Sequence, residues 1–169
     1  RDGNKESLDI EKLHKVVSYA CENVAGVSAS QVELNSKIQF FDGIKTEDVQ
    51  ETLIKSAADL ISEETPNYQW VAGRLINYHL RKMVYGQFDP PHLHGIVVKN
   101  VERGFYDKEI LSSFTKSEFN KLNSYIKHQR DDNLTYAAME QFRGKYLVQN
   151  RVTKEIFETP QIAYMLIAM

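Results

Sequence analysis

Residues 65–86 read TPNYQWVAGRLINYHLRKMVYG, and the architecture follows from them. Thr65-Pro66 has the form of a helix start: threonine as N-cap, and proline at the first helical position, where its missing N–H costs nothing. Tyr68, Val71, Leu75 and Met83 are among the apolar positions of the run, and Gly86 closes it. The stretch predicts a helix to about Tyr85 with one apolar stripe, which needs other helices to cover it.

Three such helices precede it. Ile10, Leu13, Val17, Ala20 and Val24 share one face of a helix predicted over Asp9 to Val24, with Asp9 as N-cap and Gly26 as the stop. Leu34, Ile38 and Phe41 mark a second helix, from Ser30 to Phe41, ended by Gly43. A third opens at Thr46 and carries Val49, Leu53, Ala57 and Leu60; Glu47 and Asp48 sit in its first turn, as the helix dipole favours. Four helices with short connectors read as a bundle. Asp89-Pro90-Pro91 is the best boundary, since consecutive prolines do not fit a regular helix. Shorter helices follow it, one opened by the capping box Thr115-Lys116-Ser117-Glu118. Lys145–Val148 and Ile156–Glu158 are strand candidates around a hairpin loop at Asn150–Lys154.

The 169 residues suit one domain, or one and a half. Apolar residues make up 42% and charged residues 26%, an ordinary globular composition, with no apolar run long enough to span a membrane. The net charge of -2 argues against a dedicated binder of nucleic acid. A single cysteine, Cys21, excludes an internal disulfide and a four-thiolate metal site; it reads as a small core residue of a protein from a reducing, cytoplasmic compartment. No signal peptide is visible. The chain starts without methionine and stops inside the apolar run Ile162–Met169, after a second Thr-Pro helix start at Thr159-Pro160. It therefore reads as an N-terminal fragment of something larger.

The usual nucleotide signatures, GxGxxG and GxxxxGK[ST], are absent, so a phosphate site here would need helix N-termini and lysines. Three places fit. Lys12 lies in the first turn of its helix, where the dipole disfavours a cation unless an anion is bound; a solvated lysine paired with Asp9 or Glu11 is the plainer reading. Thr46 sets a hydroxyl beside free backbone N–H groups, the more common role being a plain N-cap. His79 and Lys82 lie three apart on one helix face, where His79 also extends the apolar stripe as a core histidine would. His92 and His94 form an HxH pair that would share a metal on a strand. No third ligand is evident, and a loop reading is preferred. The sequence pattern by itself stops at a helical, nucleotide-independent domain and leaves its function open.

The runs Ser30–Leu34, Phe41–Thr46, Lys55–Leu60, Leu80–Lys82, Tyr85–Phe88 and Phe142–Arg151 go further. Taken together and in this order, they resemble the N-terminal part of the large, catalytic subunit of an aerobic (class Ia) ribonucleoside-diphosphate reductase, over essentially the whole chain. The resemblance implies a mainly α fold in two parts. Residues 1–87 would be an ATP-cone, a four-helix regulatory domain capped by a small β-sheet. Residues 88–169 would be the helical segment, with a short β-hairpin, that leads into the catalytic barrel. It implies ATP as activating effector and dATP as inhibitor, with Mg2+ accompanying the nucleotide. Arg1 would meet phosphate, Glu6 and Asp9 would read the adenine and its surroundings, and Leu8, Ile10 and Leu13 would pack near the base. Lys12, Thr46 and Lys82 would contact phosphates, with His79 close by. Gln50 departs from the family pattern, which has a histidine there. The implied partners are the small, radical-generating beta subunit, with its di-iron or di-manganese centre, and further copies of the large subunit, with no nucleic acid and no membrane. The family's cysteine trio is absent, so the fragment alone should be catalytically inactive. A degenerate cone serving only oligomerisation is the alternative. A free-standing repressor with a zinc ribbon is excluded by the single cysteine.

Overall fold

The computed structural model describes residues 7–37 and 39–169, and within them the chain is mainly helical. Its helices are α1 (Ile10–Cys21), α2 (Ala29–Lys37), α3 (Thr46–Ala58), α4 (Tyr68–Tyr85), α5 (Leu93–Glu102), α6 (Glu109–Ser113), α7 (Lys116–Tyr125), α8 (Tyr136–Gln141) and α9 (Pro160–Ala168). A 3₁₀ turn over His128–Asn133 precedes α8 and a π-helical turn over Phe142–Tyr146 follows it. The chain divides into two compact units. The first takes the described residues up to Ile76 together with Asn133–Met139; the second takes Asn77–Asp132 and Glu140–Met169.

In the first unit, α2 packs against both α1 and α3. Val17, Ala20, Val32, Leu53, Ala57, Val71, Ala72 and Leu75 are buried, the larger of them contributing roughly 1.5–3 kcal/mol each. Polar groups fasten the helices where apolar packing stops. The Tyr68 hydroxyl accepts from the backbone N–H of Ser28 at 2.9 Å and donates to the Gln31 side chain. Arg74 donates to the carbonyls of Glu22 and Ala20, two acceptors left over at the end of α1. Gly73 is required by close approach: a Cβ there would lie 2.2 Å from the Leu134 carbonyl oxygen.

The second unit is built on Leu93, Ile96, Val97, Phe119, Ile126 and Ile162. α5 packs on α7, and α7 starts with the expected capping box: Glu118 N–H donates to the Thr115 hydroxyl at 3.3 Å and Thr115 N–H to the Glu118 carboxylate at 2.7 Å. Thr159 stands at the N-cap position of α9 with Pro160 in its first turn, as read from the sequence, but its hydroxyl pairs with that of Tyr85 at 3.1 Å and makes no cap hydrogen bond.

Several expectations need correction. In α2 the helix is right but the face is wrong. Val32 and Ser36, one turn apart, are buried, whereas Leu34 and Phe41 are each 66% exposed; Ile38 lies outside the described residues. The small Ser36 satisfies its own hydroxyl on the Glu33 carbonyl, which lets it be buried where a larger polar group would not fit. The helix also ends at Lys37, before Phe41. At the start of α4, Thr65 donates its hydroxyl to the Leu60 carbonyl at 2.7 Å instead of capping, and the helix begins at Tyr68. Met83 is exposed.

The strands of the hairpin do not form. Lys145 and Tyr146 are taken by the π-helical turn, leaving a single antiparallel bridge between Gln149 and Ile156. That turn-back is held by Glu158, 2% exposed, which accepts from the Tyr106 hydroxyl at 2.6 Å and from Val148 N–H at 2.9 Å. The β cap was placed at the chain start, which lies outside the described residues.

Candidate functional site

Asp9 caps α1 as expected: its carboxylate accepts from the backbone N–H of Lys12 at 3.0 Å and pairs with the Lys12 ammonium at 3.3 Å. The backbone N–H and then the ammonium of Lys12 hold the Asp9 carboxyl below the usual carboxylate range. Side-chain exposure is 79% for Lys12 and 45% for Asp9, so water screens the pair and an anion of higher charge can displace the carboxylate. Leu8 and Ile10 stand on either side of Asp9 and are 45% and 60% exposed, with Leu13 half-buried one turn on. Exposed apolar side chains beside a helix N-terminus suit a ligand with a flat apolar part and a charged part. Arg1 and Glu6 lie outside the described residues.

Thr46 is the first residue of α3, not its cap. The cap is Lys45, in an extended conformation, and its side chain does not close the helix end. The Thr46 hydroxyl is exposed at that open end.

On α4, His79 is 6% exposed, as a residue of the helix's inner stripe. Lys82, three residues on, is half-buried, with its ammonium 5.7 Å from the centroid of the Tyr78 ring. The structure therefore brings Asp9 and Lys12 into direct contact, sets Leu8 and Ile10 beside them, and puts His79 and Lys82 on one helix face. The residues of α1 and α3 belong to the first unit, His79 and Lys82 to the second.

The HxH pair lies neither on a strand nor in a loop, but at the start of α5. His92 is the N-cap of α5 and accepts from His94 N–H at 3.2 Å, while His94 packs edge-on against Phe119. Among the described residues no group of three potential metal ligands occurs. Cys21 is half-buried, and desolvation pushes its thiol up to about 11, so it is an inert thiol at neutral pH. No described helix is long and apolar enough to cross a membrane.

Sequence reading missed a buried polar cluster in the second unit. Arg81, 3% exposed, donates to the His128 carbonyl at 2.6 Å and lies over the Phe88 ring at 4.9 Å. Asn77 donates to the Asp132 carboxylate at 2.8 Å. Asp131 is fully buried, and desolvation pushes its carboxyl up to about 7. The segment 127–133, KHQRDDN, reads as a solvated loop by composition, so no pattern in it announces a buried acid.

The ATP cone domain family matches residues 1–83. The chain is 54% identical over 168 residues to ribonucleoside-diphosphate reductase 1 subunit alpha of Escherichia coli K12; the match covers 99% of this chain and 22% of that protein. It is 43% identical over 169 residues to the alpha subunit of the reductase of enterobacteria phage T4, again 99% of this chain and 22% of the relative. Against the alpha subunit from Helicobacter pylori it is 39% identical over 170 residues, covering all of this chain and 21% of the relative. The chain thus spans about a fifth of the length of these relatives.

Proposed function

The chain belongs to the family of ribonucleoside-diphosphate reductase alpha subunits, with its ATP-cone at residues 1–83, and on that premise we propose that it is the overall-activity switch of such a reductase. The cone binds ATP, which keeps the enzyme active, or dATP, which shuts it down. The observation that carries the reading is the cone's match over residues 1–83, the part that holds Lys12, Thr46, His79 and Lys82.

In this reading the adenine lies among Leu8, Ile10 and Leu13, with Asp9 and Glu6 reading its polar edge. Phosphates draw on Lys12, Thr46 and Lys82, with His79 near them and Arg1 at the chain start. The open, uncapped start of α3 offers backbone N–H groups to an oxyanion. The surface ion pair of Lys12 with Asp9 gives way because a triphosphate brings several charges where the carboxylate brings one. Mg2+ arrives on the phosphates, which supply its ligands. Residues 1–87 act as the cone and residues 88–169 as the helical lead-in to the catalytic barrel.

The parent enzyme reduces ribonucleoside diphosphates, in the cytoplasm, with a radical supplied by the beta subunit. ATP and dATP differ by one hydroxyl, and one hydrogen bond contributes only about 0.5–1.5 kcal/mol net. Direct contact therefore discriminates modestly, and the switch works through different assemblies of alpha and beta subunits that the two effectors favour.

The test is calorimetric titration of ATP and of dATP into the full-length subunit with the specificity site saturated by dTTP. Binding beyond that site, with a stoichiometry assignable to the cone, is expected. Absence of any further binding contradicts the reading and leaves a degenerate cone that serves oligomerisation.

A further inference from the structure

The buried cluster beneath the second half of α4 has a property shared by no other part of the described residues. The buried side-chain atoms without a hydrogen-bond partner all lie in it: Asn77 Oδ1, Arg81 Nε, His128 Nδ1 and both carboxylate oxygens of Asp131. Their placement is regular. Asn77 and Arg81 are four apart on α4 and so stack on one face. His128 and Asp131 are three apart in the 3₁₀ turn, where residues at that spacing eclipse. Two hydrogen bonds clamp the faces together, from Arg81 to the His128 carbonyl at 2.6 Å and from Asn77 to the Asp132 carboxylate at 2.8 Å.

From α9, Gln161 turns its side chain and its backbone N–H towards Asp131, yet neither carboxylate oxygen is closed off by a full hydrogen bond. Buried polar atoms are paired in nearly all proteins, because each orphan keeps its full desolvation penalty. Five at one interface point to a bound ligand that pairs them.

The chemistry of the atoms selects that ligand. Arg81 Nε is a donor; the Asp131 oxygens and Asn77 Oδ1 are acceptors; His128 Nδ1 takes either role with its tautomer. A cation is opposed by the Arg81 guanidinium and an anion by the Asp131 carboxylate. A neutral molecule that both donates and accepts, and is small enough for a closed interface, fits all of them.

We infer that Asn77, Arg81, His128 and Asp131 form an internal hydration site, in which ordered water accepts from Arg81 Nε and donates to Asp131 and to Asn77 or His128. A buried water makes about three such bonds, so one water pairs three of the five atoms and a second is needed for the rest. The water is then a structural part of the second unit, bridging α4 to the 3₁₀ turn beside the two direct hydrogen bonds of Arg81 and Asn77. It also settles the Asp131 carboxyl, which burial pushes up to about 7 while Arg81 and Gln161 pull it down.

The experiment is a crystal structure of the full-length subunit at a resolution that shows ordered water. It is paired with oxygen-17 relaxation dispersion, which counts long-lived internal waters, on the same protein and on Asp131→Leu. The expected result is water density within hydrogen-bond distance of Arg81 Nε and an Asp131 oxygen, with dispersion amplitude lost in Asp131→Leu. Density showing Arg81 directly on Asp131, or a dry interface, overturns the proposal. Should Asp131→Leu fail to fold, the structure of the unsubstituted protein decides alone.

Discussion

α1 and α4 each carry a lysine that we propose meets the nucleotide, and they hold their charged groups in opposite ways. At the start of α1, Lys12 and Asp9 lie on the surface and hold each other through a screened pair. Along α4 the helix is buried on Val71, Ala72, Leu75, Ile76 and Leu80, and even a guanidinium, Arg81, is taken inside. The difference separates two uses of charge. Surface groups can exchange partners with a ligand at little cost. Buried groups are fixed by what surrounds them, so substitutions there change stability first. Lys82 stands at the margin, half-buried beside Tyr78.

The largest effect is expected on α4, at Gly73. Alanine there would set a Cβ 2.2 Å from the Leu134 carbonyl oxygen, a backbone atom that cannot swing away. Gly73→Ala should cost about 3 kcal/mol in denaturant unfolding, and an unchanged midpoint would break the picture of α4 as a tightly fastened helix.

On α2 the two faces can be told apart by paired truncations. Val32→Ala should cost about 2 kcal/mol, and Leu34→Ala, at an exposed position, less than about 0.5 kcal/mol. Equal losses would restore the face that the sequence pattern chose.

The buried cluster supplies a pH test. Asp131 is pushed from an ordinary 3.8 up to about 7, so between those values the folded chain keeps a proton that the unfolded chain has released, and rising pH removes stability. His128 is lowered from 6.5 to about 4, by burial and then by Arg81, so across that window the unfolded chain holds the extra proton and rising pH adds stability. The two oppose each other. Each slope is at most about 1.4 kcal/mol per pH unit. With Asp131→Asn the unfolding midpoint should climb between pH 4 and 6.5, the span of the His128 shift. With His128→Gln it should fall between pH 4 and 7, the span of the Asp131 shift. Identical profiles for both variants would mean that neither group is buried as described.

The smallest effect on stability belongs to Lys12→Ala. Its midpoint should match that of the parent, while its affinity for dATP drops. A loss of stability without a loss of affinity would make Lys12 a structural residue.

Much of this was legible from residue spacing. The Asp9 cap and the buried Val17 and Ala20 of α1, the buried Val49, Leu53 and Ala57 of α3, the Thr115 capping box and Pro160 in the first turn of α9 follow from local rules that tertiary contacts did not overrule, whereas Ile10 of the α1 stripe is 60% exposed and the helix ends at Cys21, short of Val24. The α2 face was misread because periodicity gives the spacing of a stripe, and burial of the small polar Ser36 shifted its phase. The Lys145–Val148 strand was misread because a π-helical turn took its first residues. Arg81 and Asp131 were invisible for a different reason: charged residues are read as solvated unless a partner distant in sequence is known, and Arg81 meets the 3₁₀ turn across 47 residues. For the nucleotide positions, the residues alone offered only isolated cations and one hydroxyl. Family resemblance grouped them.

The most direct test of that grouping is the dATP affinity of Lys82→Ala in the full-length subunit, with thermal unfolding measured on the same sample. The account predicts at least a tenfold loss of affinity, about 1.4 kcal/mol, with the unfolding midpoint little changed. Undiminished affinity in a folded variant would contradict it.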